Sequence, residues 1–269
     1  MRHVGTIARR ELASLFVSPV AYVVLTLFSV LAGFFFLSSV LSFSEAVSRL
    51  QQMIGFDPRF AEQLARANLN DDVIFPFLGA MSIVLLFLVP GITMGLFASE
   101  TANGTDELLL TSPLTIWEIV LGKFLAAAGF LLLLVGLVAL FPGILFVYGD
   151  PEVQKTLAGL LGLLLVGLTY VAIGCFASSV TSSQVIAFVL SFVMLLLLWM
   201  LSFLADLGAA GGPVGQSGLS SFLRWLSSSE HFEQLVKGLV DTSDLAYFGA
   251  LIGTFLLLTK AAVESVRWR

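Results

Sequence analysis

The sequence predicts an all-α membrane protein with six membrane-spanning helices, and three observations lead there. Of 269 residues, 58% are hydrophobic and only 12% are charged. Mean hydropathy is +1.01, which no soluble core of this length explains. The apolar residues also fall into several runs of the length, about 20 residues, that a helix needs to cross a hydrocarbon layer of roughly 30 Å. No stretch is left over for a soluble domain.

Taken in order, the chain begins with an amphipathic helix. Val4, Ile7, Ala8, Leu12, Leu15 and Phe16 fall at helical spacing, with Arg9, Arg10 and Ser14 on the other face, a pattern suited to a membrane surface. Pro19 then starts a new direction, so residues 1–18 are set apart from the first span, 20–41. That run is longer than the apolar core of a signal peptide and leads on to further spans, so it is expected to stay in the protein. Residues 42–72 are polar and mixed in charge, with one or two short surface helices broken near Gly55–Pro58.

The second span, 73–98, contains Pro90 and Gly91, where a kink is expected because proline removes a helical donor. Gly91 and Gly95 have the spacing that lets helices approach closely, within one subunit or between two. A third span, 117–147, carries a second such pair, Pro142 and Gly143. After a turn at Gly149–Glu152 the fourth span, 157–177, is rich in glycine: Gly159, Gly162, Gly167 and Gly174. The hydroxyls of Ser178–Ser183 are placed to cap the fifth span, 184–204. The segment Gly208–Gly218 reads as a flexible connection, followed by two short amphipathic pieces up to Val240. The sixth span, 245–262, carries Gly249 and Gly253 as hinge or packing positions.

Arg2, Arg9 and Arg10 flank the first span, and Lys260, Arg267 and Arg269 the last. Basic residues favour the cytoplasmic side, so both ends are expected there, and an even number of spans satisfies this. Outer loops also hold basic residues, but most of these are accompanied by acids. The net charge of −5 argues against a nucleic-acid partner, which needs a basic surface. Cys175 is the only cysteine, so neither an intrachain disulfide nor a cysteine metal site can be built.

Motifs for chemistry are missing. There is no phosphate-cradling GxxxxGK[ST] loop, no HExxH pair beside His3 or His231, and no GxSxG elbow. The inner parts of the spans are expected to lack ionisable side chains, which weighs against an ion-coupled carrier. Energy must then come from outside the chain. The receiver is the polar stretch Ser99–Lys123. Asn103–Gly104 makes a turn, and Thr105 caps a short helix opening with Asp106 and Glu107. Leu108, Leu109 and Leu110 give that helix an apolar side, and Pro113 ends it. Thr115 and Glu118 then form a capping box for the third span.

These residues carry a resemblance. ASETANGTDELLLTSPLTIWEIVLGKFLAA resembles the intracellular segment between spans two and three of ABC-2 type transporter permeases, with Glu100, Gly104, Thr105, Glu107, Leu108, Leu109, Leu110, Thr111, Pro113, Trp117, Glu118, Gly122 and Lys123 at matching positions. IARRELASLFVSPVAYVV and HFEQLVKGLVDTSDLAYF are similar to segments of the gliding-motility-type permeases within that family. The sequence departs from the pattern at Gly95, Ser99 and Thr101–Asn103, where relatives carry acidic or basic residues.

The resemblance implies a non-catalytic permease subunit of an ATP-driven exporter. Residues 1–18 would be its connecting helix, and Asp106–Ser112 a cytoplasmic coupling helix that docks on a separate ABC ATPase. Glu100, Gly104, Thr105, Asp106, Glu107, Leu108, Leu109, Leu110, Thr111 and Pro113 are the docking positions. No cofactor is expected in this chain, since the partner ATPase would bind ATP and magnesium. The resemblance further implies a second permease copy or homologue, a companion protein with an extracytoplasmic domain, and a place in a bacterial inner membrane. A nucleotide-independent scaffold or secondary carrier is the alternative.

Overall fold

A computed structural model describes residues 4–57, 59–104, 115–210 and 218–266. Among them the regular structure is helical. In chain order the helices are α1 (Val4–Val17), α2 (Pro19–Ile54), α3 (Arg59–Arg66), α4 (Phe75–Thr93), α5 (Ala98–Ala102), α6 (Ile116–Tyr148), α7 (Val153–Val180), α8 (Gln184–Ala210), α9 (Gly218–Leu226), α10 (Ser228–Val236) and α11 (Thr242–Val266). A π-helical turn, Asn70–Ile74, leads into α4.

Six stretches among the described residues are long and apolar enough to cross a membrane: Ala21–Ile54, Asn70–Ala102, Ile116–Tyr148, Val153–Val180, Gln184–Leu204 and Thr242–Ser265. These are spans one to six. All-α architecture and six spans are therefore as the sequence predicts. The helices themselves run further than the apolar runs. Span one was expected to end at Leu41, yet α2 continues to Ile54 and breaks only at Gly55–Phe56. Extending an existing helix needs no new nucleus, and an Arg49–Glu45 pair at 3.4 Å adds side-chain support. Gly208 likewise belongs to α8, which ends at Ala210 instead of giving way to a connection.

Span four sits at the centre. It packs against spans two, three, five and six and against α10, and 67% of its apolar stretch is buried, compared with 11% for span one. Its glycines explain this. A methyl group at Gly159 would lie 2.7 Å from Leu78, one at Gly162 2.9 Å from Leu235, and one at Gly167 2.7 Å from Leu131. At Gly174 it would overlap the Thr93 hydroxyl. Each missing side chain is a place where a neighbour's side chain enters.

The N-terminal helix, none of whose residues is fully buried, rests on the bundle. Its apolar face lies on span three, where a methyl at Gly122 would be 2.6 Å from Ile7 and one at Gly129 3.3 Å from Leu12. Phe16 also packs on Phe130, with ring centroids 5.8 Å apart. Lys260 of span six lies over the Trp117 ring at 5.8 Å. The first helix, the start of span three and the end of span six thus share one end of the bundle.

The opposite end is tied by Asn70. Its side chain donates to Glu152 O and Thr156 Oγ1, both at 3.2 Å, and accepts from Glu152 N–H at 2.7 Å. Lys155 lies 2.9 Å from the Glu152 carboxylate and holds it below the ordinary carboxylate range. The glycine contacts set a test. Gly174→Val should destabilise the detergent-solubilised chain by about 1–3 kcal/mol, the usual cost of overpacking. Gly249→Ala, which meets open space, should be neutral or stabilising by up to about 1 kcal/mol. Thermal unfolding followed by size-exclusion chromatography reads both.

Candidate functional site

At the end of the bundle that carries the first helix, span two is interrupted. The expected kink position is Pro90–Gly91, but α4 remains helical through Pro90 and ends at Thr93. Met94 N–H bonds to Pro90 O at 2.9 Å and Leu96 N–H to Thr93 O at 3.1 Å, after which the chain turns and re-enters a helix as α5. An interruption packed among other helices leaves buried backbone groups that need partners. Two side chains from other spans satisfy them here.

Ser178, at the end of span four, is the first. Its hydroxyl accepts from the N–H groups of Phe97 and Ala98, at 3.0 and 3.1 Å, and donates to Met94 O at 2.9 Å. One side chain therefore closes both edges of the interruption. The sequence suggested that this serine caps the next helix; folding brings it to a segment 80 residues away. Gly174, one turn earlier, makes room for Thr93.

Lys123 of span three is the second. It lies seven residues into α6, about 10 Å along the axis, with only 2% of its side chain exposed. Its ammonium donates to Leu96 O at 2.5 Å and to Glu100 Oε1 at 2.7 Å. Glu11 of α1 stands 3.8 Å away, and the Phe97 ring lies 5.3 Å below the charge. A buried ammonium needs such partners, because desolvating it alone costs several kcal/mol. The expectation that span interiors carry no ionisable side chain is corrected here: span three holds a buried lysine.

The start of span three is built as expected. Thr115 Oγ1 accepts from Glu118 N–H at 3.3 Å, and the Glu118 carboxylate accepts from Thr115 N–H at 3.2 Å, the reciprocal arrangement of a capping box. The turn at Asn103–Gly104 is also present, with Gly104 at φ +65°, a conformation that glycine adopts without strain.

Of the expected docking positions, Glu100 faces inward to Lys123 and Gly104 is exposed on the turn. Thr105, Asp106, Glu107, Leu108, Leu109, Leu110, Thr111 and Pro113 lie outside the described residues. Of the expected hinge and packing positions, Pro90 and Pro142 are buried. Methyl groups at Gly91, Gly143, Gly249 and Gly253 would meet nothing within 4 Å, and one at Gly95 only Ser99. Helix α6 runs through Pro142 without interruption. What the sequence reading missed was the joint role of Ser178 and Lys123. The sequence placed the lysine at the end of the polar stretch Ser99–Lys123 and gave no sign of its partners.

Residues 5–263 match the family model described as ABC-2 family transporter protein. No curated protein matches the chain.

The junction makes energetic predictions. Glu100→Gln should destabilise the chain by about 2–4 kcal/mol, because it replaces the nearest carboxylate of a buried ammonium with a neutral amide. Adding Lys123→Met should recover part of that loss, so the two changes will not be additive in chemical unfolding. Ser178→Ala should cost about 1–3 kcal/mol by orphaning buried backbone groups.

Proposed function

The chain belongs to the ABC-2 transporter family, and from that premise we propose that it is the permease subunit of an ATP-driven exporter. The single observation that carries the coupling role is the junction at Lys123. One cation joins the first helix, the interrupted end of span two and the start of span three, at the end of the bundle that carries the first helix. A push on that stretch would reach spans two and three together, with α1 resting on span three at Gly122 and Gly129.

In this reading a separate cytoplasmic ABC ATPase binds ATP and magnesium and docks on Asp106–Ser112. The chain itself is not catalytic. Glu100 contributes by anchoring the stretch to Lys123 more than by offering its charge to the partner. Leu108, Leu109 and Leu110 supply the apolar docking side, and Glu107 a carboxylate. The end of the bundle bearing both terminal helices faces the cytoplasm of a bacterial inner membrane. Two permease subunits, identical or homologous, enclose the substrate path, and the likeness to gliding-motility-type permeases supports a companion protein with an extracytoplasmic domain.

Two measurements test this. Purification in mild detergent from the native host should recover an ATPase with the chain, and recovery of none would argue against the reading. Glu107→Lys and Leu109→Asp should each lower coupled ATPase stimulation by about tenfold or more, the loss of at least one strong interface contact, with membrane insertion unchanged. Normal stimulation in both variants removes the docking assignment.

A further inference from the structure

At the end of the bundle away from Lys123, α9 and α10 form a short helical hairpin held between spans four, five and six. Ser228 and Phe232 of α10 form one wall of a cavity of about 370 Å³. Phe75 of span two, Tyr170 of span four and Trp199 of span five complete it. The same helix carries His231, whose ring is 7% exposed as a residue and stacks on Tyr247 of span six at 4.0 Å.

Both ring nitrogens of His231 face oxygen. Nδ1 lies 2.6 Å from Asp244 Oδ1, in the first turn of span six, and Nε2 lies 2.9 Å from the Trp225 carbonyl. A carbonyl only accepts, so Nε2 must carry a hydrogen. The contact at 2.6 Å also requires one, on Nδ1 or on Oδ1. The pair therefore holds two protons, whereas a neutral imidazole and a carboxylate bring one between them. Without the extra proton, two lone pairs would face each other in a buried place. Asp244 is 1% exposed, and its Oδ2 has no hydrogen-bond partner among the described residues. The shared proton and the N-terminal end of the helix are what offset its charge.

The pair also holds the hairpin. Trp225 and Leu226 end α9, and their carbonyls are taken by His231 Nε2 and by the Tyr247 hydroxyl, the latter at 2.6 Å. Span six thus grips the turn between α9 and α10 by one tyrosine and one proton-dependent contact. Among the described residues, the other titratable and charged groups on the surrounding elements include Arg224 with Glu230 at 3.8 Å, Glu233 with Lys237 at 3.4 Å, Asp241 ahead of span six, Tyr170, Lys155 and Cys175 on span four, and Lys260 with Glu264 at the far end of span six. The described ring contacts of His231 are with Tyr247 and Phe248.

We propose that His231 and Asp244 form a proton-binding site that clasps the α9–α10 hairpin to the head of span six. Loss of the proton frees the hairpin and opens the adjoining cavity. The sign is fixed by the proton count: the clasp is closed when the pair is protonated and weakens as pH rises through its titration. The site depends on contacts within one chain and goes beyond the permease assignment, so failure of either leaves the other standing.

The test uses the full chain in phosphatidylcholine nanodiscs. After correction for intrinsic exchange, amide protection across residues 225–236 should fall about tenfold or more between about pH 6 and about pH 9. His231→Gln, which cannot titrate, should show no such change. The sequence has two histidines, His3 and His231, so histidine-selective isotope labelling, with His3→Gln for assignment, reports the titration directly. Protection should be lost over the same pH interval in which the His231 signal moves. PH-independent protection in the wild-type chain overturns the proposal, as does an equal change in His231→Gln. Should that variant fail to fold, a mismatch between wild-type titration and loss of protection overturns it alone.

Discussion

The interruption of span two at Met94–Phe97 is the constraint on which the rest of this end of the molecule depends. A helix can stop in a packed, buried place only where other groups take up the backbone donors and acceptors it releases. Here Ser178 supplies one acceptor and one donor, and Lys123 takes the Leu96 carbonyl. Those two residues come from spans four and three, so the interruption fixes three spans relative to one another. The small residues follow from the same requirement. Ser178 can reach the break only if span four approaches closely, and Gly174 beside Thr93 permits that approach.

Much of the architecture was legible in the sequence because it rests on local quantities. The length of an apolar run decides whether a helix crosses a membrane, and six such runs became six spans. The capping box at Thr115 and Glu118 and the turn at Gly104 are set by residues within a few positions of one another. The glycines of span four announced close packing, though not which neighbour would enter at each. Helix ends were harder, because α2 runs on through a polar segment that hydropathy alone assigns to a loop.

The site was less legible, for a related reason. Lys123 meets residues 23 and 27 positions away, and Ser178 meets residues 80 and more away. No periodicity encodes those pairings; they arise only when spans two, three and four are assembled. Pro90 drew attention to span two, yet the break falls after Thr93, where the backbone groups find partners. A proline marks where a hydrogen bond is missing, whereas side chains elsewhere in the fold decide where a helix can end. The same applies to His231 and Asp244, which lie on separate helices.

A buried ion pair is a poor source of net stability, since the cost of desolvating both charges offsets most of their attraction. A methionine of similar length at position 123 would pack in the same apolar surroundings without that cost. What a methionine cannot do is distinguish one arrangement of the surrounding segments from another. The ammonium is satisfied only when the Leu96 carbonyl and Glu100 converge on it and Glu11 stands near. A shift of α5 by one turn, about 5 Å, would strand the charge. The lysine thus favours a discrete position of the stretch that follows span two over a continuum of positions. That is the property a mechanical linkage needs: a displacement is either resisted or passed on to spans two and three together, and is not lost in local rearrangement.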